Sequence, residues 1–441
     1  MLETIRNAWK IVDLRKKILF TVLIIFLFRI GSVIPVPFIN TELLKAVFDE
    51  TMSGGLFGFV NIMSGGAFSQ ATLFAMSITP YINASIIIQL LTIGIPAMER
   101  IVKEGGEEGQ KKQAAWTRYA TIIIALIQGW AYYTTLKVTK VTETNQTLLT
   151  SEGNSILGMI VIILVFCAGS ALIMWFGEQI TEKGIGNGIS MILFAGIVSR
   201  GPALVLGLVA SYFSALEFIP ILTGLLYIAA AVAVVGFVVW ITNAERRLPV
   251  QYAKRVVGRK VYGGQSTFIP LKVNMTGVLP IIFASAICSI PMTINGFING
   301  GNPPAGGFWK VFMDLFNYTS PVYAVLYFLL IIGFSYFYAS IQFNPIEIAN
   351  NLKKNGGFIM GLRPGRPTSD FIVKVMNKVI FIGALFLGLI ATLPIIVGAI
   401  IKGGNIALGG TSLLIIVGVA LETVTAMEAQ MMMRHHKGFL D

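Results

Sequence analysis

The sequence predicts an all-α polytopic membrane protein of ten transmembrane helices. Three observations carry that expectation. Apolar stretches of about 20 residues, the length that crosses a bilayer as a helix, recur along the chain. Of the 441 residues, 55% are hydrophobic and only 12% charged, about half the charged share of a soluble domain. Lys and Arg also alternate between rich and poor loops: 26 of the 33 fall on one side of the expected spans and six on the other, with Arg29 inside the first span.

The expected spans are 18–37, 71–95, 116–136, 156–178, 188–210, 218–241, 274–293, 321–341, 376–398 and 406–427. Helices are expected because backbone facing lipid must satisfy its own hydrogen bonds. A barrel would need alternating strands of about ten residues, and no such pattern occurs. The first run is too long for a signal peptide and ends in Ile34-Pro35-Val36-Pro37, so it is read as a retained span. The basic side contains segment 1–17, the loops 96–115, 179–187, 242–273 and 342–378, and the tail. The poor side holds Lys45, Lys137, Lys140, Arg200, Lys310 and Lys402. The positive-inside rule then places both termini in the cytoplasm. Five spans precede a long basic loop and five follow, which permits pseudo-symmetric halves at 1–217 and 218–441.

Two basic loops, about 243–274 and 344–370, exceed what a connector needs. The first contains Arg246, Arg247, Lys254 and Arg255; the second contains Lys353, Lys354 and Arg363. Such loops suit anionic lipid headgroups, RNA or acidic protein, although topology alone also demands basic residues there. Segment 56–70 is moderately apolar, rich in glycine and too short to cross a bilayer. It fits either a re-entrant element lining a cavity or an ordinary external loop.

Several chemistries are excluded. The dipeptide Gly-Lys is absent, so no phosphate-binding Gly-x-x-x-x-Gly-Lys-Ser/Thr loop exists. With only His435 and His436, no Ser/His/Asp set can be placed, and no catalytic residue, metal or cofactor is expected. Cys167 and Cys288 have no ligand spacing and read as buried structural thiols. Gly184-Ile185-Gly186-Asn187-Gly188 lacks the preceding strand of a dinucleotide loop and reads as a tight turn. An ion-coupled carrier needs ionisable groups at mid-membrane. Here Glu422 is off-centre, and Glu178 and Glu217 lie at span edges, so a small-solute carrier fits poorly.

Certain runs resemble the SecY family, whose members form the channel of the bacterial Sec protein translocase. They are Met63-Ser64-Gly65-Gly66-Ala67, the stretch from Ile78 to Leu91, Gly184 to Ser190, Pro270 to Met275, Asn344 to Lys354, and Arg363-Pro364-Gly365. The resemblance implies an hourglass pore with an apolar ring at Ile78, Ile82, Ile189, Leu193, Ile282 and Ile415. Ile78/Ile82 and Ile189/Leu193 are i, i+4 pairs, so each pair faces one way on a helix. It further implies an external plug at about 56–70, including Phe57, Asn61, Met63, Ser64, Gly65 and Gly66. A lateral gate is implied near Asn83, Ser85, Gln128 and Ile287. The basic residues named above then form a docking surface shared by the SecA motor and the ribosome. Implied partners are SecE, a SecG-like subunit, SecA, the ribosome, anionic lipids and unfolded preproteins with signal sequences. The implied location is the bacterial cytoplasmic membrane.

Overall fold

The computed structural model describes residues 2–48, 60–139, 147–213, 218–252, 255–257, 260–262, 266–299, 306–316, 320–400 and 410–437. Sixteen α-helices are used below, numbered among the described residues in chain order. The first half contains α1 (Leu2–Lys10), α2 (Val12–Gly31), α3 (Thr41–Val47), α4 (Thr79–Gly94), α5 (Pro96–Glu104), α6 (Gly106–Val138), α7 (Ile156–Lys183), α8 (Gly188–Ser199) and α9 (Gly201–Phe213). The second contains α10 (Phe218–Thr242), α11 (Leu279–Asn299), α12 (Gly307–Leu315), α13 (Pro321–Gln342), α14 (Pro345–Lys354), α15 (Arg366–Ile400) and α16 (Gly410–Lys437).

Helix occupies part or all of each expected span. Among the described residues, six helices are long and apolar enough to cross a membrane by length and composition; a seventh is added if Thr79–Gly94 and Pro96–Val102, bent by 104°, form one span. Two of the remaining spans fall short for visible reasons. Helix α2 opens among Asp13, Arg15, Lys16 and Lys17 and carries Arg29. Gln128 and a run of aromatic and hydroxyl side chains dilute α6. Helix α11 runs unbroken from Leu279 through Pro291 to Asn299.

Three details add to the expected spans. The second span does not begin as helix at 71. Its helix starts at Thr79 with Pro80 in the first turn, a position where proline sacrifices no intrahelical bond. The apolar residues before it form turns with Ala71 and Ser77 at positive φ. Phe74 anchors those turns, stacking on Phe28 at 5.7 Å and meeting Phe176 edge-on at 6.2 Å. In the fifth span α8 ends at Ser199 and α9 starts at Gly201, with Arg200 between them, and the two together form one apolar stretch of membrane length over Gly188–Gly207. Finally, the fold is mostly but not wholly helical. A three-stranded sheet runs in the order β4-β1-β5, with β1 Glu245–Tyr252, β4 Ser266–Lys272 and β5 Gly357–Phe358; β2 Arg255–Val257 and β3 Lys260–Tyr262 make a hairpin.

The halves meet along two seams. On one, α11 packs against α4 and α6; on the other, α16 packs against α8 and α1. Small residues let the helices approach closely. A methyl carbon added at Gly188 would collide with the Gly177 carbonyl oxygen, so α7 and α8 cross backbone to backbone. Charge at a span edge is paired: Arg118 on α6 donates to Glu178 on α7 at 2.8 Å. Both cysteines are buried and free.

Candidate functional site: an apolar waist between the two halves

The six expected ring residues converge from four helices. Ile78 and Ile82 come from α4, Ile189 and Leu193 from α8, Ile282 from α11, and Ile415 from α16. Ile78 is the residue that caps α4, not one inside it. The i, i+4 relation nevertheless holds, because the Ile82 amide donates to the Ile78 carbonyl at 3.1 Å. Five of the six are at most 5% exposed and belong to one central cluster; Ile189 is half-buried and packs against it. Behind them α7 presents Gly177, where an added methyl carbon would sit 3.6 Å from Ile78 Cδ1 and 3.7 Å from Ile189 Cγ1. Branched aliphatic side chains from both halves therefore share one large apolar cluster.

On one side of this cluster lies the glycine-rich segment. A helical turn at 60–63 ends in a Schellman arrangement. The Gly66 amide donates to the Asn61 carbonyl at 2.8 Å, and the Gly65 amide to the Ile62 carbonyl at 3.1 Å. That geometry places Gly65 in the left-handed region, at φ 68°, where a side chain is strained. Asn61 organises the following turn: its Oδ1 accepts from the Ser69 amide at 3.0 Å, while Ser64 Oγ donates to its carbonyl at 3.1 Å. Met63 is buried within the ring cluster itself. A space of about 20 Å³, enough for one water, separates Val60 and Met63 from Thr79, Ile82, Ile282 and Ser285. Phe57 lies outside the described residues.

The expected gate residues sit on the helices of one seam. Asn83 and Ser85 are on α4, Gln128 on α6 and Ile287 on α11. Ile287 packs against the ring cluster. Ser85 is engaged within its own helix, accepting from Gln89 Nε2 at 3.2 Å. The seam also carries hydroxyls that hydropathy alone did not single out. Ser285 and Ser289 on α11 donate to the Ile282 and Ala286 carbonyls, at 2.8 and 2.6 Å. Their i, i+4 spacing was the available signal, since one turn of helix aligns them.

The two basic loops form one module, which the sequence does not announce. Strand β1 pairs with β4 over Glu245↔Lys272 to Gln251↔Ser266, and with β5 through Gln251↔Phe358. Alternation along β1 turns Leu248 and Val250 inward and Arg247 outward. Leu248, Val250 and Leu271 share a small core with Leu352, Ile359 and Ile372 from the second loop. Arg246, Arg247, Lys353, Lys354 and Arg363 are all exposed. Arg247 bonds Glu245 at 2.6 Å and lies 4.7 Å over the Phe268 ring. Arg255 is on β2, and Lys254 lies outside the described residues. Gly186, at φ 77°, makes the expected tight turn, and Asn187 Oδ1 then caps α8 by accepting from the Ile189 amide at 3.0 Å.

The sequence pattern of the SecY family matches residues 72–424, more than half of the chain and including all six ring positions. This chain belongs to the SecY family. A SecY-family relative from Streptomyces scabiei, named protein translocase subunit SecY, is 43% identical over 443 residues, covering all of both chains. Another of the same name from Thermotoga maritima is 41% identical over 444 residues, covering all of this chain and 98% of its own. Two solved structures share the fold. One is a SecY described as having a plug domain that stabilises the closed state and maintains a membrane seal. It has TM-score 0.66 and 18% identity, covering 94% of this chain and 92% of its own. The other is Sec61 in a canine ribosome–channel complex, with TM-score 0.59 and 16% identity over the same shares. This SecY-family chain thus has a channel fold and is a multi-pass membrane protein.

Proposed function

We propose that this chain is the protein-conducting subunit of a bacterial Sec translocase. It passes unfolded secretory polypeptides across the cytoplasmic membrane and releases transmembrane segments sideways into lipid. The carrying observation is the ring: six aliphatic side chains from both halves meet in one cluster. A non-polar gasket has no hydrogen bonds to offer, so it tolerates any passing sequence, and when it closes it dewets.

Further assignments rest on this reading. The halves 1–217 and 218–441 part at the seam of α4 and α6 against α11, which serves as the lateral gate. Segment 56–70 is the plug; its Met63 seat in the ring cluster supports this. Both termini face the cytoplasm, as do the β-strand module and Arg363. There Arg246, Arg247, Lys254, Arg255, Lys353, Lys354 and Arg363 dock the SecA motor or the ribosome and meet anionic lipid headgroups. SecE and a SecG-like subunit complete the complex. Energy comes from these partners, in keeping with a sequence that has no phosphate loop.

The test is reconstitution. The chain, with SecE and SecG-like subunits in liposomes, should move an unfolded preprotein into a protease-protected lumen when SecA and ATP are supplied. Protection that ignores SecA, or transport of small solutes alone, would contradict the assignment.

A further inference from the structure

We propose that Arg29 and Arg200 form a cationic clasp that holds the plug closed by the carbonyl end of its helical turn. The proposal rests on reading segment 56–70 as the plug. Arg29 stands in the last turn of α2 and Arg200 caps α8, each at the end of an apolar helix, where a charge is costly unless it finds a partner. They come from different helices, α2 and the α8–α9 junction, yet converge on the same two glycines. A methyl carbon added at Gly65 would lie 2.8 Å from Arg29 Nη1 and 2.7 Å from Ser199 Oγ; one added at Gly66 would lie 3.7 Å from Arg200 Nε. The two guanidinium groups therefore lie on the side of the Schellman turn to which a Cβ at Gly65 or Gly66 would point.

The seat beneath them is built. Arg29 Nη1 donates to Ser199 Oγ at 3.0 Å, and Ser199 Oγ donates to the Gly196 carbonyl at 2.6 Å. Gly196 is also where the plug lands, since a methyl carbon there would collide with the Met63 carbonyl oxygen. Carbonyls at the end of a helical turn carry partial negative charge, and cations placed there are stabilising. The attraction is strongest away from water and vanishes once the segment withdraws. It thus favours the closed state without contributing to the open one, which is the condition for shifting that equilibrium. Glycine at 65 and 66 leaves the backbone bare, so the cations can approach it.

The experiment uses the full chain with Cys167→Ala, Cys288→Ala and Ile62→Cys, in proteoliposomes with its partner subunits. A membrane-impermeant maleimide is added outside, with Lys45→Cys as the exposed reference. Arg29→Gln and Arg200→Gln should each speed labelling at position 62 about fivefold, and more together. Arg29→Lys, which keeps the charge, should stay closer to the parent. Parent-rate labelling in the double glutamine variant would overturn the clasp, as would lysine and glutamine variants that label equally fast. If the glutamine variants do not insert, Ser199→Asp offers Arg29 a competing carboxylate at the atom it already bonds. Faster labelling is expected, and an unchanged rate counts against the clasp. Deleting residues 60–67 in the parent tests the plug reading separately by resting conductance: no change would refute the plug, whereas a leak there, together with parent-rate labelling in the double glutamine variant, would refute the clasp alone.

Discussion

At Ile415 the waist depends on one side chain. It is fully buried within an apolar cluster to which both halves contribute. Replacing it with asparagine places an amide where no hydrogen-bond partner is built, a cost of about 1–3 kcal/mol in a protein setting. Most of that cost disappears if water enters. Ile415→Asn should therefore shift the channel towards a wetted, open waist, giving about tenfold or more resting ion conductance and admission of preproteins with weakened signal sequences. Unchanged conductance in planar bilayers would show that Ile415 only packs a core. The ring was legible in the sequence because Ile78/Ile82 and Ile189/Leu193 lie at helical spacing and within family motifs. The clasp arginines were visible only as isolated charges. Their meeting at Gly65 and Gly66 requires two spans and a re-entrant turn to fold together, and no local pattern encodes that.

Individual elements show where local signals were informative and where they were overruled. Hydropathy placed the second span at 71–95, because residues 71–78 are as apolar as the helix that follows. Pro80 was the better guide: α4 begins at Thr79, and the apolar stretch before it is buried as turns around Phe74. Strand β1 was not expected, although Leu248 and Val250 alternate with less apolar neighbours along it. Its pairing with β5, about a hundred residues away, has no local signal, because strand partnership is a long-range choice. This module makes a two-part prediction. Leu271→Asp puts a charge into the core that joins the loops; it should unfold the module and expose it to protease while the spans stay inserted. Arg363→Glu leaves that core untouched and should impair SecA-driven export with normal protease resistance. Export at the parent rate in Arg363→Glu would remove this residue from the docking surface.

At the scale of the whole molecule, the two halves touch along α4 and α6 against α11, and along α16 against α8 and α1. A central gasket between halves can widen only if one of these seams opens. The first carries the water-sized space and its hydroxyls, and is the one assigned as the gate. A short bifunctional thiol reagent bridging Thr79→Cys and Ser285→Cys, which line that space, should halt secretion, and a cleavable version should restore it on reduction. Continued secretion with the bridge intact would move the gate to another seam. The multi-pass helical architecture was readable from the sequence at this scale, because bilayer thickness sets the length of an apolar helix. The junction at Arg200 and the bend between α4 and α5 were not, since both depend on what packs beside them.

The central claim is that polypeptide passes through the six-residue waist. Disulfide or bifunctional crosslinking of a stalled secretory chain tests it most directly, using Ile82→Cys and Ile415→Cys in a background without Cys167 and Cys288. These two positions come from opposite halves of the ring. The account predicts crosslinks at both, dependent on SecA and ATP and lost when the stall is released. Capture only at lipid-facing reference sites such as Leu226→Cys, with neither waist position reacting, would contradict it.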